Sequence, residues 1–315
     1  RNFAMKAVEN KWVTTDTTLN SPYVMTHSNG LNIRATIEPF DGLRIDLSAS
    51  RNFSRNLSEY YLFNGDQFKG VYNTMEYGSF SMTFNTLATA FQKIKRSGNY
   101  DSKAYNDFLE NREIIARRLG TERLGTIYPS TGDYENSPIA GLPYKPEGYP
   151  DLGYTVESGV DGYNLTSREV MIPAFLAAYS GKSAHNIFTE TFPSLSHLKP
   201  NWKINFSGLS KIKFLKKYIK SFDISHAYTS TYTIGSYQTN LDWEDNGDGI
   251  SFVRDAQDNF IARYLISGVT ISEQFSPFIQ FNITWGGNFS SRASYNKSRI
   301  LNLSLNNNQL IENYS

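Results

Sequence analysis

The stretch Leu31-Asn32-Ile33-Arg34-Ala35-Thr36-Ile37-Glu38-Pro39-Phe40-Asp41-Gly42-Leu43-Arg44-Ile45-Asp46-Leu47-Ser48-Ala49 decides how this chain folds. Leu31, Ile33, Ala35 and Ile37 alternate with Asn32, Arg34 and Thr36. That is the period of a strand whose two faces meet different surroundings. Pro39 and Gly42 then stand where a tight turn needs them. Leu43, Ile45, Leu47 and Ala49 resume the alternation against Arg44, Asp46 and Ser48. The segment predicts a hairpin with one apolar face and one polar face carrying charges in mid-strand.

The same pattern recurs outward from this hairpin. Phe80, Met82 and Phe84 alternate with Ser81 and Thr83, and Trp202, Ile204 and Phe206 with Lys203 and Asn205. Phe222, Ile224, Tyr228, Tyr232 and Ile234 share one face. Leu265, Val269 and Ile271 lead to an expected turn at Ser276-Pro277, after which Ile279, Phe281, Ile283 and Trp285 return. Leu301, Leu303 and Leu305 mark a last strand. Several of these strands exceed the roughly 9–11 residues with which a tilted strand crosses a membrane. Tight connections (38–42, 276–277) and long ones (58–76, 238–258, 88–199) follow the design of a transmembrane barrel. Strand directions do not alternate consistently through this set. A further strand is therefore expected inside 88–199, at 122–128 or 153–160.

Composition agrees. Aromatic residues make up 15% of the 315 residues, with 21 Tyr and 21 Phe, while only 39% are hydrophobic. Mean hydropathy is −0.45. Large amphipathic rings without long apolar runs suit aromatic girdles on alternating strands, and no run is apolar enough for a membrane helix. A net charge of +1 argues against nucleic acid as a partner, since phosphate neutralisation needs a basic surface. With no cysteine there is no disulfide framework, thiolate nucleophile or Cys-ligated zinc. The sequence begins at Arg1 and stops at Ser315 after an Asn-rich stretch, and both ends read as cuts from a longer protein.

The predicted fold is all-β, part of a very large antiparallel transmembrane β-barrel with a long, partly helical loop insertion. Residues 1–87 and 200–315 carry barrel strands and 88–199 form the insertion. Within it, Tyr105, Phe108, Leu109, Ile115 and Leu119 predict a helix near 101–119 that Gly120 ends. Residues 129–164 are rich in Pro, Gly and Tyr and read as loop. Ser167 caps a second helix near 168–179, closed before Gly181, with Pro173 limiting its first turns.

Candidate sites are few. Glu244, Asn246, Asp248 and Asp255 have the spacing of a calcium loop, with Gly249 at its sixth position. Glu at the first position, Asp at the twelfth and strand-like flanks favour a solvated loop tip instead. Gly181-Lys182-Ser183 resembles the end of a phosphate-binding loop, but Leu176 stands where its first glycine belongs. Lys211, Lys213, Lys216, Lys217 and Lys220 interleave with Ile212, Phe214, Leu215, Tyr218 and Ile219. This run suits either a membrane-interface element or a solvated basic turn. His27, His185, His197 and His226 show no metal spacing. No nucleophile with a base and no paired catalytic carboxylates stand out, so no enzyme, metal or cofactor is expected.

Several blocks occur together in order: Pro173-Ala174-Phe175-Leu176-Ala177-Ala178-Tyr179-Ser180-Gly181, Asn201-Trp202 after Pro200, Gly208-Leu209-Ser210-Lys211 and Phe214-Leu215-Lys216-Lys217-Tyr218. Ser225-His226-Ala227-Tyr228-Thr229-Ser230-Thr231-Tyr232 and Gly235-Ser236-Tyr237 follow; Phe108-Leu109-Glu110-Asn111-Arg112 and Arg118-Leu119 precede. In these blocks the chain resembles the C-terminal half of the SprA (Sov) family, the outer-membrane translocon of the Bacteroidetes type IX secretion system. The resemblance spans most of the chain and is strongest over 105–240. It implies a giant single-chain barrel passing folded proteins to the cell surface, with roles in protein secretion and gliding motility. It also implies secreted cargo proteins, a PorV-like shuttle barrel, a plug protein and outer-membrane lipid as partners. The chain is far shorter than that family's members. Arg34, Arg44, Asp46 and Arg51 are expected to line the lumen, with the apolar face toward lipid or neighbouring loops.

Three other readings compete. A TonB-dependent receptor or large porin shares the strand design. A soluble β-rich surface module binding glycans through Tyr and Trp shares the composition. A surface hydrolase lacks its catalytic groups.

Overall fold

The computed structural model describes residues 6–7, 9–17, 22–63, 68–92, 102–153, 159–246, 249–287 and 289–315. The chain is mostly β, and its described residues form one large antiparallel sheet of nine strands. They are β1 (Tyr23–Phe40), β2 (Leu43–Phe63), β3 (Phe68–Thr83), β4 (Asn201–Phe206), β5 (Ile219–Thr239), β6 (Tyr264–Ile266), β7 (Gly268–Trp285), β8 (Ser290–Ser304) and β9 (Gln309–Tyr314). The sheet order is β1-β2-β3-β5-β7-β8-β9; β4 pairs with β2 and β5, and β6 with β5. β2 and β5 each have 21 residues. The central hairpin forms as its pattern predicts, with Ile33 opposite Ala49, Ala35 opposite Leu47 and Ile37 opposite Ile45.

β3 and β4 occupy one strand position. β3 pairs with Arg51–Phe63 of β2, and β4 with Leu43–Ser48 of the same strand. On the other side Thr83 lies opposite Thr231 and Trp202 opposite Tyr228 of β5. The chain leaves the sheet after Thr83, makes its long excursion, and re-enters at Asn201 running in the same direction. This corrects the expected strand order, in which the alternations at Phe80–Phe84 and Trp202–Phe206 counted as separate strand positions. The failed alternation of directions follows from that miscount, and no extra strand is needed. Residues 122–128 hold only an isolated bridge at Ile127, and 154–158 lie outside the described residues.

Other expectations are also corrected. Ser276-Pro277 is no turn: its peptide is cis and sits inside β7, which runs on to Trp285. Pairing with β8 shifts between Phe275 and Ile279, so the strand bulges there instead of reversing. Proline has no N–H to donate, and a bulge tolerates it inside a sheet. The long connection expected at 58–76 is a hairpin, with Phe63 opposite Phe68. The Asn-rich stretch after Leu305 turns the chain into β9, which Gln309–Tyr314 pair with β8. Connections at 41–42, after Phe206 and after Trp285 share one end of the sheet, here the near end. The strand ends at Phe63, Thr239 and Ser304 share the far end.

The excursion contains α1 (Lys103–Glu122) and α2 (Arg168–Ser180). Ser102 caps α1 by accepting the Tyr105 N–H, and Ala104, Phe108, Ile115, Ala116 and Leu119 form its buried stripe. Gly120 does not end this helix. It lies within α1, where an added Cβ would come within 3.2 Å of Tyr144, Pro146 and Val160. In α2 every residue from Val170 to Tyr179 is buried. A helix apolar on all sides must be enclosed on all sides. Ser167 caps it, and Gly181 closes it in the left-handed conformation at φ 69°, as the sequence predicts.

Candidate functional site

The two faces of the sheet differ along their whole length. Across the near half, Thr36, Asp46 and Lys203 align on one face, as do Arg44, Asn205, Ser225, Gln280 and Ser294. Thr36 Oγ1 donates to Asp46 Oδ1 at 2.7 Å, Arg44 Nε lies 3.0 Å from the same oxygen, and Ser225 Oγ donates to Asn205 Oδ1 at 3.0 Å. The far half of this face continues with Asn52, Ser79, Ser81, Thr231, Thr233, Thr270 and Ser272.

The opposite face is apolar in both halves but covered in only one. At the far half, Phe80, Met82, Tyr232, Ile234, Val269, Ile271, Leu301 and Leu303 share one core with α2. Phe192 of the excursion packs against Phe53, Phe80, Tyr237 and Tyr264. At the near half, Ile33, Ile37, Ile45, Leu47, Ile204, Phe206, Phe222, Ile224, Phe281 and Ile283 share this face by strand register. None of them belongs to the core that α2 covers; Ile33 and Ile37 are 49% and 47% exposed and the others are half-buried. Arg51 belongs to this second face and does not line the polar one. It sits one residue out of step with Arg44 and Asp46, its Nε donates to the Pro193 carbonyl at 3.0 Å, and its guanidinium lies over Phe80.

The excursion is riveted where it leaves the sheet and at the end of α2. Glu273 of β7 and Arg299 of β8 form an ion pair of 2.8 Å with both side chains almost fully buried. Glu273 Oε1 also accepts from Thr86 Oγ1 (2.6 Å) and the Tyr228 hydroxyl (2.9 Å). Arg299 donates to the carbonyls of Thr86 and Thr89, and Thr89 Oγ1 donates to the Tyr179 carbonyl at the end of α2. A buried charge pair that also binds Thr86, Thr89 and Tyr228 holds the chain at one place, which an apolar contact would not do.

A second knot ties the excursion to the β5–β6 connection. Arg254 lies 2.9 Å from Asp161, Tyr128 donates to Asp161 Oδ2 at 2.6 Å, and Arg123 stacks over Phe260 at 3.8 Å. Burial raises the Tyr128 hydroxyl pKa, with Asp161 adding to it, and pushes Tyr163 up to about 12. Beside this knot an open cleft of about 1280 Å³ is lined by Arg168, Glu169, Asn240, Glu244, Asn246 and Asp255, among others. Three of the four calcium-loop candidates thus border one cleft, and Asp248 lies outside the described residues. Asp255 Oδ1 is occupied by the N–H groups of Gln257 and Asn259, the turn chemistry that its sequence suggested. Among the described residues no three His, Cys, Asp or Glu side chains converge to hold a metal ion.

The motif residues have structural posts. Pro173, Phe175, Tyr179 and Gly181 build α2 and its cap. Trp202 stacks on Tyr228 at 4.4 Å, and His226 Nδ1 lies 2.6 Å from the Phe278 carbonyl oxygen. Tyr232 is buried in the core, and Gly235 lies within a β5 bulge between Ile234 and Tyr237. Gly208 and Leu209 form a turn against Gly42, where a Cβ on Gly42 would meet Gly208 N at 3.0 Å. Asn201 bridges the strand interruption. Lys182 and Ser183 follow the α2 cap, as a helix end and not a phosphate loop. Reasoning from sequence passed over Glu273, Arg299, Asp161 and Arg254. The available signal was a charge at a position whose alternation demands an apolar residue, as at Glu273 between Ile271 and Phe275. Compared with known proteins, the chain matches no family model and no curated protein.

Proposed function

We propose that this chain is a section of the wall of a large outer-membrane β-barrel that conducts proteins to the cell surface, the role implied by its resemblance to type IX translocons. The observation that carries the reading is the uncovered near half of the apolar face, backed by a polar face that runs the full strand length. β5 has 21 residues, about twice the roughly 9–11 that cross a membrane at a tilt. On this reading the near half crosses the bilayer with Ile45, Ile204, Ile224 and Phe281 toward lipid. The far half stands clear of the hydrocarbon, its outer face covered by the excursion. Arg34, Arg44, Asp46 and Lys203 face a water-filled lumen, and the tight near-end turns face the periplasm.

The outer edges of β1 and β9 are unpaired among the described residues. Backbone groups cannot stay unpaired in hydrocarbon, so further strands must close the barrel. Such a wall works without catalytic groups or cofactors; its partners are secreted cargo, a PorV-like shuttle barrel, a plug protein and lipid. The test is fractionation of the full-length protein together with the secretome of a deletion strain. Outer-membrane residence with secreted proteins trapped in the periplasm supports the reading. A soluble protein with an unchanged secretome overturns it.

A further inference from the structure

We infer that the connection from Ser207 to Tyr218 binds anionic phospholipid headgroups at the near-end membrane surface. This rests on the barrel reading above. The connection consists of two short 3-10 turns, Gly208–Lys211 and Leu215–Lys217. Lys211, Lys213, Lys216, Lys217 and Lys220 are all exposed. So are Ile212, Phe214 and Tyr218, at 49%, 75% and 54%. Clustered apolar exposure of this kind marks a contact surface.

The element is held at a fixed height on the rim. Ser207 N donates to the Gly42 carbonyl and Gly286 N to the Tyr218 carbonyl, both at 2.8 Å. Lys211 pairs with Asp41 of the β1–β2 turn. Lys213, Lys216 and Lys217 have no carboxylate partner among the described residues.

The rim is continuous with the uncovered apolar half. Phe206 at the end of β4 meets Phe40 edge-on at 6.2 Å, Ile219 lies opposite Trp285, and Phe289 is 66% exposed in the neighbouring connection. Rings thus mark the edge of the apolar band, with ammonium groups beside them. Aromatic side chains settle at the headgroup level, and long lysine stems carry their charge out to the phosphates. Each lysine near an anionic surface adds to the attraction. An acidic protein partner would use the lysines but leave the row of exposed rings without a role.

The test places a bimane label at Ile212→Cys in the full-length protein, where residues 1–315 contribute no cysteine and any cysteine elsewhere is replaced by serine, reconstituted into phosphatidylcholine vesicles. Spin-labelled phosphatidylglycerol or spin-labelled phosphatidylcholine is added at equal mole fraction as quencher. Phosphatidylglycerol should quench at least about three-fold more strongly, as surface lysines favour anionic lipid. The preference should vanish in K213Q/K216Q/K217Q and survive in K213R/K216R/K217R. Equal quenching in the unaltered element, or a preference untouched by the glutamine variant, overturns the inference, as does no quenching by either lipid. A second label at Ile204→Cys separates the two failures. Quenching there with none at 212 sinks only the headgroup site, whereas no quenching at either position sinks the barrel reading with it.

Discussion

Asn201 Oδ1 accepts the backbone N–H of Ser230 at 2.8 Å, and the Ser230 carbonyl accepts the N–H of Phe84 at 3.1 Å. The two ends of the excursion therefore satisfy the very residue of β5 that faces the break between β3 and β4. On the β2 side the Ser50 N–H reaches Thr83 Oγ1 at 3.3 Å. The strand position stays sealed although its backbone is interrupted. Ser230 is fully buried, so Asn201→Leu would strand its N–H away from water. The expected cost is about 1–3 kcal/mol. Thermal melting of the purified full-length protein, with protease cleavage inside 84–200 as a second readout, checks this. An unchanged melting temperature would mean that Asn201 is a bystander at the break.

Glu273 and Arg299 make a different prediction because both are charged. Removing one partner leaves the other buried alone, at an expected cost of about 3–5 kcal/mol. Arg299→Met should therefore destabilise strongly, and Glu273→Leu likewise. The double variant should recover most of the loss, since neither charge then remains unpaired. Melting temperatures of the three variants form the cycle. Equal destabilisation by the double and single variants would show that the Thr86 and Thr89 contacts, and not the charge pair, hold the excursion.

The contrast between what the sequence disclosed and what it hid has a physical basis. Alternation in 31–49 exposes strand, turn and face at once, because each side chain reports only its local surroundings. The cap Ser167 and the left-handed Gly181 delimited α2 for the same reason. The shared position of β3 and β4 was not legible, since pairing partners more than a hundred residues apart leave no local trace. Ser276-Pro277 misled because the dipeptide that makes a turn also makes a bulge. Arg51 misled because a charge was assigned to the polar face by type and not by its odd place in the alternation. Along the rim, by contrast, the interleaved lysines and rings of 211–220 were visible from the start; the structure adds where they sit.

Glu169 gives a pH-dependent expectation. Although Glu169 borders the open cleft and is half-buried, the protein packed around its carboxyl desolvates it and raises it above the ordinary 4.5, against an opposing pull from Arg123. The folded protein then holds this proton to higher pH than the unfolded chain does. Its stabilising contribution is full below the unfolded value and is lost as pH rises through the raised folded value. Glu169→Gln mimics the neutral form at every pH. The variant should melt with the unaltered protein near pH 4 and above it near pH 8. A variant less stable than the parent near pH 8 would show that attraction to Arg123 outweighs burial.

Ile204 and Asn205 are neighbours in β4 with opposite surroundings under the proposed function, so one substitution type tests both faces. Ile204 sits between Ile45 and His226 on the uncovered apolar face, and Asn205 between Arg44 and Ser225 on the polar one. An arginine on the lipid face near the bilayer midplane costs about 2–4 kcal/mol, while lumen positions tolerate charge. Ile204→Arg should sharply lower the amount of protein in the outer membrane, and Asn205→Arg should leave it near normal. In a soluble sheet with both faces in water, Ile204→Arg would be an ordinary surface change with an effect within about 0.5 kcal/mol. Equal abundance of the two variants would therefore remove lipid from the near half of this sheet.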